Sequence, residues 1–347
     1  MSKKKKNRRI VSNASIVSSA SAVNNVNTTL EQSAVKSIDE KGNGDGVTRD
    51  LMKYKFWYLA FSALVIVPGL VSLGVFGLKT SIDFTGGSVL KFSRQEGAWD
   101  KNSVNQIFKE KGVEIASINI EDNGKNIGVR TKPIDANKNE EIKASIVSSP
   151  SIQQTSFETV GPSIGAETVK KSLVALVAAC AGIVLYIAYA FRNVPKPFSG
   201  LRFGVSAIIA MIHDALVVLG VFAILGHFEG VEIDPMFITA LLTIIGFSVH
   251  DTIVVFDRVR ENLGRFKGKS IEWVANYSVL ETMRRSIATS ATVAITLSAL
   301  FVFGGVSIKW FVLALLVGVI SGTYSSIFNA TPILVIWEDF LTRRAKK

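Results

Sequence analysis

The sequence predicts a polytopic α-helical membrane protein: six transmembrane helices in a bundle, with one α+β domain inserted between the first and second. Two observations predict this. The first is that apolar runs recur six times in a chain of 347 residues that is 48% hydrophobic. They fall at Trp57–Leu78, Ser172–Phe191, Phe203–Leu225, Met236–Phe256, Ser286–Gly305 and Trp310–Trp337. A hydrocarbon core roughly 30 Å thick takes about 20 helical residues rising ~1.5 Å each, and every run is long enough. The second observation is that segment 79–168, between the first two runs, has no such stretch and alternates strand and helix periodicities instead.

Taken in order, residues 1–55 are polar and rich in Ser, Asn and Lys, and predict a disordered basic tail. They hold no apolar core of the kind a cleavable signal peptide needs. The Lys3–Arg9 cluster suits contact with anionic membrane lipids, and equally suits a tail that only orients the first helix. Residues 56–78 form the first span. In 79–168, Ser88–Ser93 alternates like a strand, Asp100–Lys111 has helical spacing, and Val113–Ile120 alternates again. Lys125–Lys132 reads as a hairpin partner across Asp122-Asn-Gly-Lys, Ala136–Val147 as a second helix, and Ile152–Val160 as a closing strand. The order β-α-β-β-α-β is that of a ferredoxin-like domain. Residues 169–338 carry spans two to six, interrupted by a charged connection at 257–285 whose second half, Ser270–Met283, has the spacing of an interfacial helix. Residues 339–347 are a second basic tail.

The formal net charge is +11. Its carriers concentrate at Lys3–Arg9, Lys53 and Lys55, Arg192 to Arg202, Arg258–Lys269, Arg284 and Arg285, and Arg343–Lys347. Six spans bring all of these to one side, which the positive-inside rule makes cytoplasmic, so both termini are expected there and 79–168 outside. This distribution accounts for the charge without nucleic acid, which is excluded as a partner. The one cysteine, Cys180, cannot form an internal disulfide and reads as a small apolar packer.

Ionisable groups at membrane depth are rare and functional by default. His250 and Asp251 lie in the fourth run, and His213 and Asp214 in the third. Adjacent residues point about 100° apart on a helix, so Asp251 shares its face with Val255 and Arg258, and His250 lies on another. Arg284 and Arg285 enter the fifth span and are candidate partners for Asp251, since a guanidinium stays charged while a carboxyl titrates. From the residues alone, a proton relay and a static ion pair are level, as are a proton path through His213-Asp214 and a buried pair fixing helix packing. Asp257 and Arg258 read first as a solvated charge cluster ending the fourth helix. Gly86 and Gly87, after Asp83 and Phe84, allow positive φ or close backbone approach. Gly318 and Gly322 have the spacing of close helix packing. Walker A, HExxH and CxxC motifs do not occur, and no enzyme, cofactor or metal site is expected.

Seven phrases resemble, in order, the motifs of the SecF branch of the SecD/SecF family in the RND superfamily. They are Ser81-Ile-Asp-Phe-Thr-Gly-Gly87, Val160-Gly-Pro-Ser-Ile-Gly165, Met211-Ile-His-Asp-Ala215 with Leu219–Phe222, Ile245–Asn262, Thr289-Ser290, Phe303-Gly-Gly305 and Gly322–Ser326. The resemblance implies a bacterial inner-membrane subunit that works with SecD beside the SecYEG channel. There it uses the proton gradient to draw secreted polypeptides outward. It places the relay at Asp251 and Arg285. His250 departs from the family, whose members commonly carry Asn there, and so adds a second titratable group. Two rivals stand beside this reading: an RND-type half-unit exporting small molecules or lipids, and a structural subunit without proton use. The chain has no internal repeat, so a partner supplying a second half is expected.

Overall fold

The computed structural model describes residues 50–121, 124–147 and 150–345. The tail expected at 1–55 lies outside them except for its last six residues, as do Asp122 and Asn123 of the expected hairpin turn.

Among the described residues, six helices are long and apolar enough to cross a membrane. They are α1 (Lys55–Phe76), α5 (Pro162–Ala190), α6 (Gly200–Phe228), α7 (Pro235–Arg265), α8 (Ile271–Phe303) and a last one built of α9 (Lys309–Ser325), a π-turn (Ser326–Ala330) and α10 (Thr331–Ala345). α6, α7 and the last helix hold the buried centre, and α1, α5 and α8 lie at its margin with most of their surface exposed. Small residues set the crossings. A Cβ on Gly69 of α1 would lie 2.9 Å from the Gly220 Cα of α6, and a Cβ on Gly220 would lie 2.6 Å from the Gly69 Cα. Lipid offers helices no hydrophobic reason to associate, so close backbone approach of this kind supplies dispersion contact instead. At the end away from the sheet domain, Phe191, Phe203 and Phe256 cluster with ring centroids 5.3–5.8 Å apart. Ion pairs tie that end across the bundle: Lys55 to Glu272 at 2.7 Å and Asp339 at 3.3 Å, and Arg202 to Glu338 at 2.9 Å.

The stretch Ser270–Met283 is helical, but it is not a separate interfacial helix. It forms the first turns of α8, which Ser270 caps through the Trp273 N–H, and no Gly or Pro interrupts Ile271–Phe303. The connection between α7 and α8 is thereby reduced to residues 266–270.

Between α1 and α5 stands a four-stranded antiparallel sheet in the order β2-β3-β1-β4. Its strands are β1 (Gly87–Arg94), β2 (Ile115–Glu121), β3 (Asn126–Thr131) and β4 (Ile152–Val160). Helices α3 (Lys101–Glu110) and α4 (Ala136–Ile146) share its core of Leu90, Phe92, Val104, Phe108, Ile127, Val129 and Ile142. Alternation puts Leu90 and Phe92 on one face of β1. Asp100 and Asp135 cap the two helices by accepting from the backbone N–H groups of Asn102 and Ser103, and of Lys138. These elements follow the strand and helix order read from the sequence.

The sheet domain joins the bundle at two places. The short helix α2 (Ile82–Thr85) is followed by Gly86 at φ +71° and Gly87 at φ +129°, which a side chain would strain. A Cβ on Gly165 of α5 would come within 2.9 Å of the Gly86 N and 3.0 Å of the Phe84 carbonyl oxygen, so the first turn of α5 packs directly on α2. The second joint is the loop between α6 and α7. Ile233 N donates to the Lys79 carbonyl at 2.7 Å, and Ser81 N to the Ile233 carbonyl at 2.9 Å. Arg130 of β3 closes it, donating to the Thr80 carbonyl at 2.9 Å, to Thr85 Oγ1 at 2.6 Å and to Glu232 at 3.1 Å.

Candidate functional site

The centre of the bundle holds two buried carboxylates. Asp214, on α6, is 0% exposed and Asp251, on α7, is 7% exposed. Asp214 sits in a cradle of hydroxyls. Ser248 of α7 and Ser325 of α9 donate to its Oδ2 at 2.5 and 2.6 Å, and Ser321 of α9 donates to Oδ1 at 2.6 Å. His213 Nδ1 lies 3.0 Å from Oδ1, a fourth hydrogen bond when that nitrogen carries the proton. The other imidazole nitrogen, Nε2, is buried without a partner among the described residues.

Helix periodicity explains the cradle. Ser321 and Ser325 are four residues apart, so they stand one above the other on α9. Gly318 and Gly322 lie beside them and let α7 approach: a Cβ on Gly318 would overlap the Ile244 side chain, and one on Gly322 would lie 3.2 Å from Ser248 Cβ and 3.7 Å from Asp214 Oδ2. The glycine spacing is therefore close packing, and it is what brings Ser248 and Asp214 within reach of α9.

Asp251 accepts from Ser326 Oγ at 3.0 Å. Ser286 of α8 faces the same carboxylate, although its Oγ falls short of hydrogen-bond geometry. His250, one residue earlier, is exposed on the outside of α7. The pair thus divides as the 100° step dictates, with the carboxyl inside and the imidazole outside.

The ion pair expected between Asp251 and Arg285 is not made. Arg284 and Arg285 are both exposed on α8, and it is the next residue, Ser286, that is turned to Asp251. Nor does Arg258 reach Asp251 across Val255. It pairs with Glu261 at 3.0 Å and with Glu281 of α8 at 3.4 Å, while Asn262 donates to Ser278 and Glu281 at 3.0 and 3.2 Å. Asp257 pairs with Arg260 at 2.5 Å, and Arg260 also donates to the Ala190 carbonyl at 3.1 Å. Asp257 and Arg258 therefore belong to a charged belt at the end of α7, apart from the two carboxylates.

Asp83, Phe84, Gly86 and Gly87 lie at the joint with the sheet domain. Ser81 Oγ caps α2 through Asp83 N at 3.3 Å and donates to the Asp83 carboxylate at 3.0 Å. Phe84 packs against the apolar cluster around Val218, Phe222 and Phe237. Sequence reasoning passed over the cradle itself: Ser248, Ser321, Ser325 and Ser326. The available signal was the i, i+4 pair Ser321 and Ser325 in an otherwise apolar helix.

The whole arrangement can be compared with known proteins. The family described as protein export membrane protein SecD/SecF, C-terminal, matches residues 140–339. The protein translocase subunit SecF of Thermobaculum terrenum is 46% identical over 305 residues, covering 84% of this chain and 95% of that one. The protein translocase subunit SecF of Anaerolinea thermophila is 39% identical over 298 residues, covering 84% and 94%. Among solved structures, SecDF of Thermus thermophilus, a translocon-associated membrane protein, superimposes with a TM-score of 0.73 at 30% identity. That match covers 84% of this chain but only 39% of the SecDF chain. With a family match over more than half its length and relatives aligned nearly end to end, the chain belongs to the SecD/SecF family of protein-export membrane proteins.

Proposed function

We propose that the chain is an accessory subunit of the Sec translocase that couples proton passage through its membrane bundle to export of secreted polypeptides. The observation that carries this reading is the pair Asp214 and Asp251. Both are buried within helices long and apolar enough to cross a membrane, and among the described residues neither is paired with a Lys or Arg. Their partners are hydroxyls, together with the His213 imidazole at Asp214, and a hydroxyl donates to a carboxylate and accepts from a carboxylic acid equally well. Either group can therefore change protonation without stranding a buried cation, which would be expensive in lipid. Asp251, with one direct hydroxyl donor, is the exchanging group. Asp214, held by three serines, is the second station, reached through His213. Arg285, exposed on α8 one residue before Ser286, is assigned to the rim of the relay, and His250 is a spacer on the outer face.

The partners follow from the same frame. This chain matches less than half of the SecDF chain, and the relay-bearing α7 exposes Thr239, Thr243, Gly246 and His250 along one side. Small and polar residues in such a row suit close contact with another membrane helix, which we assign to SecD. SecYEG and the translocating polypeptide are the further partners, with anionic lipid at the basic face. That face is placed in the cytoplasm with both termini, the sheet domain outside, and the domain is read as ferredoxin-like from its element order and strand order.

The test is Asp251→Asn, which keeps the shape and removes the exchangeable proton. Membrane insertion and co-purification with SecD are expected to persist, and proton-gradient-dependent release of a secreted chain from inverted vesicles to fall to background. Release at the wild-type rate would remove Asp251 from the mechanism and favour a structural subunit.

A further inference from the structure

The last membrane helix contains one irregular turn. α9 ends at Ser325, and the chain passes through the π-turn Ser326–Ala330 before α10 begins at Thr331. A π-turn holds an extra residue in the helical repeat and often marks a functional position. Here it begins between two serines with different duties. Ser325 Oγ donates to Asp214 Oδ2 at 2.6 Å, and Ser326 Oγ to Asp251 Oδ2 at 3.0 Å. Neighbouring residues of one helix therefore hold carboxylates from two others, α6 and α7.

Each serine also has a second acceptor. Ser326 Oγ lies 3.0 Å from the Thr323 carbonyl, and Ser325 Oγ lies 3.2 Å from the Gly322 carbonyl. A hydroxyl has one proton to donate and cannot serve both acceptors fully. A carboxylate is the stronger acceptor, so it claims the proton while ionised. Once the carboxyl is protonated it presents an O–H of its own, and the serine proton turns back to the carbonyl of the preceding turn. Serine bonds to the carbonyl three or four residues back bend helices.

The same turn, with Tyr324 just before it, grips α1. Ser62 Oγ of α1 donates to Asn329 Oδ1 at 2.6 Å, the Tyr324 hydroxyl donates to the Tyr58 carbonyl at 2.9 Å, and the Tyr58 and Phe328 rings lie 4.7 Å apart. Asn329 Nδ2 is buried with no partner among the described residues, a donor that this arrangement of the turn leaves unused. Past its end, α1 leads through Lys79–Ser81 to the joint with the sheet domain.

We infer that the π-turn Ser326–Ala330 is the element that senses the protonation of Asp214 and Asp251 and transmits it to α1, with Ser325 and Ser326 as positioning residues. This rests on the proton-relay reading and goes beyond it by naming the part that moves. The groups around the carboxylates are few. Asp214 faces His213 from its own helix, Ser248 of α7, and Ser321 and Ser325 of α9. Asp251 has His250 beside it on its own helix, Ser286 on α8 and Ser326 on the turn, with Arg284 and Arg285 exposed on α8.

The experiment uses the full chain with SecD in nanodiscs, in a His250→Asn background that removes the exposed imidazole. Deuterium uptake over residues 321–331 and along α1 is measured at about pH 6 and about pH 8, corrected for intrinsic exchange, beside proton-gradient-dependent release. The parent is expected to show a pH-dependent difference in both segments, and Ser325→Ala/Ser326→Ala to lose it. Release is expected to fall about tenfold, equivalent to ~1.4 kcal/mol, as suits a hydrogen bond to a charged group. Ser326→Thr, which keeps the hydroxyl, is expected to retain both. If the double variant fails to insert, Ser326→Ala alone decides, because the Ser326 hydroxyl holds a single carboxylate. Wild-type release and an undiminished pH difference in the serine variants, with Asp251→Asn inactive, would overturn the transmission by the turn and leave the relay standing. An active Asp251→Asn would overturn both.

Discussion

Asp251 and His250 show how much one residue of helical rotation decides. The sequence separates them by face, and the structure puts one inside and one outside, so the imidazole points away from the Ser326 hydroxyl that holds the carboxylate. His250→Asn is accordingly expected to leave release within about twofold of wild type from about pH 5.5 to about pH 8.5. A loss confined to one end of that range would make His250 part of the relay. The same one-residue step defeated the expected Asp251–Arg285 pair. α8 carries Ser, Ala and Thr on several faces, so its sequence has too little amphipathic contrast to fix which residue turns inward. The serines holding the carboxylates were hidden for a related reason. Ser326 lies 75 residues from Asp251 and Ser325 lies 111 from Asp214, and nothing local marks a serine as someone else's donor.

At the scale of elements, legibility follows periodicity. In the sheet domain β3 alternates buried and half-buried residues, the two helices carry Asp caps, and both signals are local, so the order of elements could be read directly. Helix crossings in the bundle depend on glycines whose partners are distant. Gly220→Ala sets a methyl against the backbone of α1, whereas Gly246→Ala meets nothing within 4 Å. Thermal unfolding in detergent is expected to show a clear loss for the first, roughly the 1–3 kcal/mol of an overpacked contact, and none for the second. Equal effects would mean that α1 and α6 separate easily at that crossing. In the sheet domain, Phe108 is 0% exposed in the core. Phe108→Ala is expected to destabilise the domain by about 3–5 kcal/mol and to expose it to limited proteolysis while the bundle remains intact.

For the molecule as a whole, the question is how movement in the bundle reaches the sheet domain, and the joint around Arg130 is the place to ask it. The guanidinium spans three segments at once: the Thr80 carbonyl after α1, the Thr85 hydroxyl of α2, and Glu232 in the loop between α6 and α7. A fork of donors can hold three acceptors in a way that a lysine cannot. Arg130 and Glu232 keep only 17% and 25% of their side-chain surface exposed, so the pair is partly shielded from solvent screening. Lys79 lies farther from Glu232, at 3.9 Å, and is a weak substitute. Arg130→Ala is expected to release the loop from the domain: amide exchange at 79–81 and 229–234 should rise, by the roughly 1–2 kcal/mol suited to a partly buried pair, without changing protection inside the sheet. Arg130→Lys should recover only part of it. If the relay drives the domain through this joint, Arg130→Ala should also slow gradient-dependent release while sparing co-purification with SecD. Unchanged exchange at both segments would show that the backbone pairing of Ile233 with Lys79 and Ser81 holds the loop without Arg130, and would move the mechanical link from the guanidinium to that pairing.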